Sequence, residues 1–268
     1  MGRAGPRGRW REAGATFLRD VDRTKVARWI LSFGLFFLGW ELVGRSGVLI
    51  SIVPPTEVLP ALAREMAEGE ILRATVDTLA LAGSALLIGG VLGVAVGVLI
   101  GVSPRAASVL DPLVSASFAV PLTIFIPIIS IYLGLEFTAK IALAVLMNIF
   151  VIIINTASGI REVPPAVKEM ARAFGTGRRR MYTRVIFPWA SPYIVTGLRI
   201  GVGRSVQGAI IADLFLRSQD LGLVIREATG AFQLAELLGV VFFVTILAAA
   251  TMGLARVVEW RLLRWKWV

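Results

Sequence analysis

Apolar residues run along this chain in six stretches of near-spanning length, roughly 26–44, 79–102, 109–133, 138–157, 189–215 and 235–258, with polar residues collected between them. A hydrocarbon core of about 30 Å takes about 20 residues of α-helix, so each stretch predicts one membrane-crossing helix. The third holds Pro112, Pro121 and Pro127, which predict a kink or a break. After the first stretch, Thr56 stands as a candidate N-cap ahead of Val58, Leu59, Leu62 and Met66 at helical spacing, predicting a short amphipathic helix on the outer surface. The expected fold class is all-α: a polytopic membrane protein of six transmembrane helices over 26–258, preceded by a basic segment at 1–25 and followed by a basic tail at 259–268.

Composition agrees with this reading. The chain is 56% hydrophobic and 17% charged, with a mean hydropathy of +0.78. It has no Cys and no His, which excludes disulfides, thiolate or imidazole metal sites, Ser-His and Cys-His couples and any imidazole base. Twenty-eight Lys+Arg against 18 Asp+Glu give a net charge of +10. In a soluble protein that excess would point to nucleic acid; here the cations cluster between apolar runs, and no nucleic-acid partner is expected. Residues 1–28 carry eight Lys/Arg and residues 158–187 seven, with Arg105, Arg256, Arg261, Arg264 and Lys266 on the same side. The opposite connections hold only Arg45, Arg64, Arg73, Lys140, Arg217 and Arg226. The positive-inside bias therefore predicts that both termini and the 158–187 loop are cytoplasmic. The first apolar run is too long for a signal peptide and reads as a retained helix. Trp29, Trp40, Trp260, Trp265 and Trp267 suit interfacial anchoring.

Two spans carry unusual patterns. Ala85, Gly89, Gly93, Gly97 and Gly101 recur every four residues in the second, a strip without bulk that lets another helix backbone approach. The fifth holds Arg199, Arg204, Gln207 and Asp213 in an otherwise apolar run, thinned by Gly197, Gly201, Gly203 and Gly208. At about 100° per residue Arg204 and Gln207 share one face, whereas Arg199 and Asp213 stand about 21 Å apart along the axis and cannot pair. Ionisable groups inside a span mark a solute pathway that Arg204 and Gln207 would face; the alternative is that Arg199 snorkels to the cytoplasmic face and Arg204 ties helices together through backbone carbonyls. Glu41, Asn148 and Asn155 read as interhelical hydrogen bonders.

The 158–188 loop is too polar to span and too patterned to lack structure. Pro164 and Pro165 open a helix over 167–174, Gly175 to Gly177 end or bend it, and a second basic helix over 178–187 runs to Pro188 at the membrane. Met170, Ala171 and Phe174 form a small apolar face ringed by Lys168, Glu169 and Arg172, the makeup of a docking knob. The alternative is a solvated basic loop drawn to anionic headgroups, a role open to Arg178 to Arg180 as well.

Glu169-Met170-Ala171, then Gly175, then Val185-Ile186-Phe187-Pro188 resembles the cytoplasmic EAA loop of the inner-membrane permease subunits of binding-protein-dependent ABC importers. That loop reads Glu-Ala-Ala, three residues, Gly, nine residues, Ile, one residue, Leu-Pro. The spacing is intact, with Met170, Val185 and Phe187 in place of Ala, Ile and Leu. The resemblance covers about 54–240, including VPPTEV, FIPIISIYLGLEFTAKI, TGLRIGVGRSVQGAIIADLF and SQDLGLVI, and looks like the nitrate/sulfonate/taurine-type branch.

What this resemblance implies is a type I importer permease (MetI-like) fold in the bacterial inner membrane. It further implies a homodimer of this chain, two cytoplasmic ATPase subunits and an extracytoplasmic substrate-binding protein. ATP would sit on the partner ATPase, with no cofactor bound by this chain and no catalytic residue in it. No G-x-x-x-x-G-K-[ST] phosphate loop occurs in the sequence. Glu169, Met170, Ala171, Phe174, Gly175, Arg178 and Pro188 would then form the ATPase-docking loop. Arg199, Arg204, Gln207 and Asp213 would line the pathway of a small anionic solute. An ion-coupled secondary carrier is the rival reading, since intramembrane Arg and Asp suit ion coupling, although no internal repeat is visible. A channel or a structural scaffold is a third, and it gives the 158–188 loop no task.

Overall fold

The computed structural model describes residues 23–47, 52–216 and 220–263, and all regular structure among them is helical. The basic segment ahead of residue 23, Arg217, and the tail residues Arg264, Trp265, Lys266 and Trp267 lie outside the described residues. The chain divides into two compact units, residues 1–61 and 62–268.

In the first unit, α1 (Arg23–Arg45) leads to the start of α2 (Pro55–Glu68). Thr56 does not cap α2 but lies inside its first turn, because Pro54 already supplies the carbonyl that accepts the Glu57 and Val58 N–H groups. The capping charge comes instead from Glu41, whose carboxylate accepts the Thr56 N–H at 3.3 Å and its hydroxyl at 2.8 Å. A carboxylate at a helix N-terminus meets orphan donors and the positive end of the dipole. The Trp40 indole N–H donates to the Val53 carbonyl at 3.0 Å, so this ring ties the turn rather than serving only as an interfacial anchor.

The second unit is built on three long helices, α3 (Glu70–Val102), α6 (Phe137–Arg161) and α9 (Phe187–Phe215). Between α3 and α6 run α4 (Pro104–Ala119), a 3-10 turn (Leu122–Phe125) and α5 (Ile126–Leu133). Between α6 and α9 lie α7 (Pro165–Ala173) and α8 (Arg178–Met181). The chain ends in α10 (Leu221–Gly230) and α11 (Leu234–Leu262). Among the described residues four helices are long and apolar enough to cross a membrane, and the α4–α5 pair, bent by 95°, counts as a fifth if taken as one broken span rather than a re-entrant loop. The helix of the third apolar stretch is therefore broken, as its prolines predict. Val120 and Pro121 are extended, as a residue before proline prefers, and Pro127 restarts the chain as the first turn of α5. α1, with 23 residues, is the remaining element of spanning length.

The core depends on how closely α3 approaches α6. Gly89, Gly93, Gly97 and Gly101 face Asn148, Ile152, Thr156 and Ile160, so a four-residue period on one helix meets the same period on the other. A Cβ on Gly97 would stand 2.6 Å from Thr156 Cβ, and one on Gly101 2.7 Å from Ile160 Cβ. At the crossing, the buried Asn148 amide donates to the Ala85 carbonyl at 3.0 Å and to Ser205 Oγ at 2.8 Å, joining α3, α6 and α9. A Cβ on Gly89 would collide with the same amide's oxygen. Leu81 and Ala82 pack with Val206 and Ala209, and Ala139 and Leu143 with Ala212 and Leu216, completing the contacts of α9 with both partners.

At the end of α9 away from the 158–188 loop, Lys140 Nζ lies 3.2 Å from Asp213 Oδ1 and 2.5 Å from Asp220 Oδ2. The Thr78 hydroxyl donates to Asp213 Oδ2 at 2.8 Å. Lys140, Asp213 and Thr78 are all buried, so the group pins α3, α6, α9 and the start of α10 where no water competes.

Gly97→Ala overpacks the α3–α6 contact and is expected to cost about 1–3 kcal/mol, read as a lower melting temperature in detergent. Gly83→Ala, which meets nothing within 4 Å, leaves that temperature unchanged or raises it. Lys140→Met strands the buried Asp213 carboxylate and should cost about 3–5 kcal/mol in the same assay. Adding Asp213→Asn should recover most of that loss.

Candidate functional site

α7 begins at Pro165, whose missing N–H would be unbonded in a first turn anyway, and ends in a Schellman motif. The Thr176 N–H donates to the Ala171 carbonyl at 3.0 Å and the Gly175 N–H to the Arg172 carbonyl at 2.9 Å. Gly175 takes φ +70, a left-handed conformation that a Cβ makes costly by about 1–2 kcal/mol. The glycine of the loop motif is thus the residue that stops α7 and turns the chain.

Phe174 is 83% exposed and Met170 58% exposed, and one turn of helix separates them. Glu169 is exposed beside them and Ala171 half-buried. Lys168 and Arg172 stand about 200° round the helix from Met170 and Phe174, so α7 has an apolar edge on one side and a basic one on the other.

The basic helix expected over 178–187 does not end at Pro188 but continues into α9. The chain runs as one helical rod over 178–215, and Pro188 sits in its interior near the start of α9. A π turn over Tyr182–Ile186 precedes it, closed by the Phe187 N–H donating to the Tyr182 carbonyl. This wider turn rearranges the ladder where Pro188 supplies no donor. α8 and α9 are therefore joined by continuous helix.

Along α9 the four polar residues separate into three environments. Arg204 and Gln207 are exposed and joined, Arg204 Nη1 donating to Gln207 Oε1 at 3.2 Å. Arg199 forms an ion pair with Glu259 of α11, Nε to Oε2 at 2.7 Å, and Thr196 donates to the other Glu259 oxygen at 2.9 Å. Asp213 belongs to the Lys140 group. The structure thus brings Arg204 and Gln207 together and commits Arg199 and Asp213 to other helices. Glu259 and Lys140 were not among the sequence candidates. Glu259 falls one residue beyond the predicted span, and Lys140 near the start of another, where the sequence counts it as a loop charge; i+3 and i+4 spacing carries no signal for partners on different helices.

Beside the Arg199–Glu259 pair, an apolar cleft of about 1000 Å³ runs between α3, α9 and α11, lined by Leu86, Val91, Val94, Leu198, Leu254 and Val258. At the end of the unit opposite α7, Glu65 has its carboxyl pushed up from the ordinary range, first by partial burial and then by Glu236, Glu68, Glu70 and Glu227. Like-charge repulsion there is fully felt above the raised pKa and is relieved as pH falls through it. Among the described residues no group of three or more His, Cys, Asp or Glu is placed to hold a metal ion.

Comparison with known proteins places this geometry. The chain is 29% identical over 229 residues to a putative aliphatic sulfonates transport permease protein, SsuC, of Bacillus subtilis, covering 85% of this chain and 83% of that one. It is 30% identical over 183 residues to the taurine transport system permease protein TauC of Escherichia coli, covering 68% of this chain and 66% of that one. The fold matches a crystal structure of an amino acid ABC transporter with a TM-score of 0.64 at 18% identity, over 75% of this chain and 97% of that one. Residues 89–263, which include the whole of α7 and α9, match the model of the binding-protein-dependent transport system inner membrane component. The chain belongs to that family: it is a multi-pass inner-membrane permease of an ABC importer, in the nitrate/sulfonate/taurine branch, and not itself an enzyme.

Proposed function

We propose that this permease carries a small organic anion of the sulfonate or taurine class, and that Arg204 and Gln207 form the polar step on its path. The observation that carries this reading is an exposed, hydrogen-bonded Arg–Gln pair within an apolar spanning helix. A guanidinium facing lipid there would be costly, so its exposed face suits a water-filled path or a second copy of the chain. A guanidinium and a carboxamide together supply donors in the fork geometry that a sulfonate or carboxylate accepts. Relatives named for aliphatic sulfonate and taurine transport support the same solute class.

Two copies of the chain would enclose the path between their α9 faces. Met170 and Phe174, with Glu169 at their flank and Gly175 setting the turn, would seat in a groove of a cytoplasmic ATPase, one per copy. The positive-inside bias supports cytoplasmic termini on the same side as α7. Closure of the ATPase pair would displace α7 and α8, and continuous helix through Pro188 to α9 would rock the Arg204 face between outward and inward access. Arg199 and Asp213 act in this scheme as ties that keep α9 rigid, since both face partners of opposite charge on other helices.

Proteoliposomes containing the permease, its ATPase and its binding protein should take up an aliphatic sulfonate or taurine only with ATP. Uptake driven by an ion gradient without the ATPase would favour the carrier reading instead. Arg204→Ala is expected to lower uptake at least tenfold while leaving ATPase binding and melting temperature unchanged. Phe174→Asp should abolish co-purification of the ATPase at unchanged melting temperature, because the side chain is exposed.

A further inference from the structure

Between α7, α8 and the neighbouring ends of α3 and α6 lies a second cavity, of about 600 Å³, lined by Arg161, Lys168, Arg172 and Arg178 and by the polar side chains of Thr176 and Tyr182. Arg161 is neutralised by Asp111, Nη2 to Oδ2 at 2.6 Å, and also reaches the Ile100 carbonyl at 3.4 Å. Among the described residues no ion pair engages Lys168, Arg172 or Arg178. Three cations sharing one concavity repel one another unless an anion occupies it, and guanidinium, ammonium and hydroxyl donors together form the ligand set of a phosphate.

The same cavity is also lined by the apolar side chains of Val102, Ile160, Met181 and Ile186. It adjoins an apolar groove of about 440 Å³ that follows α3 into the spanning region past Ala95, Val98 and Leu99, with Phe187 opposite. Val102 and Tyr182 line both spaces. A basic chamber opening onto an apolar channel along a spanning helix matches a molecule with an anionic head and a hydrocarbon tail, whereas a soluble phosphate would need the chamber alone.

We propose that this cavity is a phosphate-headgroup site for an anionic phospholipid, with an acyl chain lying in the groove beside α3. The lipid would brace the basic edge of α7 while the opposite edge, with Met170 and Phe174, stays free for a protein partner. Occupancy would therefore set the angle at which the loop is presented. This assignment does not rest on the solute proposed above.

The test uses the full chain purified in detergent and incubated with phosphatidylglycerol, phosphatidylcholine or glycerol 3-phosphate, with bound molecules read by native mass spectrometry. Lys168→Gln/Arg172→Gln should retain at least tenfold less phosphatidylglycerol than wild type. Arg179→Gln/Arg180→Gln removes the same charge from side chains outside the cavity and should retain as much as wild type. Equal retention by both variants would overturn the proposal, as would phosphatidylcholine binding as well as phosphatidylglycerol. Displacement of the lipid by an equal concentration of glycerol 3-phosphate would also overturn it and assign the chamber to a soluble phosphate. If the first variant loses its fold, Arg178→Gln, exposed at the start of α8, is judged by the same criteria.

Discussion

The contact between α3 and α6 is the constraint on which the rest of this unit depends. Spanning helices gain no hydrophobic driving force from meeting one another in lipid, so association rests on close packing and on polar groups that bond across the interface. Here both operate at one crossing. The glycine strip lets the Asn148 amide reach the α3 backbone, and the same amide holds Ser205 of α9. Bulk at Gly89 would displace that amide, and with it the position of α9, which carries every polar residue assigned to the path.

Two ionic ties extend this core toward its ends. Lys140, Asp213 and Asp220 close one end of α9 against α6 and α10, and Arg199 with Glu259 fastens its middle to α11. A buried charge group contributes little net stability compared with an apolar replacement, but breaking it by halves is costly, which favours one arrangement of helices over others. Arg204 is left outside these ties and, with Gln207, is exposed among the described residues. The division of labour along one helix follows from which charges find partners within the chain.

Much of this architecture was legible in the sequence, because spanning length, four-residue glycine spacing and the loop motif are local signals. The positions of Arg204 and Gln207 on one face follow from i, i+3 geometry alone. What the sequence left open is nonlocal. The partners of Arg199 and Asp213 lie on other helices, and the helical wheel says nothing of them. The Pro112 to Pro127 region breaks with a 95° bend, one of the two outcomes its prolines predict, while Pro188, expected at the end of the basic helix, sits inside continuous helix that includes a π turn. Thr56 had the identity of a cap, but Glu41, fifteen residues earlier, performs that task.

The central claim is that the docking loop and the path-lining face of α9 move as one rigid body. Spin labels at Arg179, exposed on α8 and clear of the Met170–Phe174 edge, and at Gln207 of a single copy, in the assembled transporter, measure this most directly by pulsed electron resonance with and without ATP. The account predicts an unchanged distance within the copy while the distance between the two copies' Gln207 labels shifts. A change within the copy, with the distance between copies fixed, would contradict it.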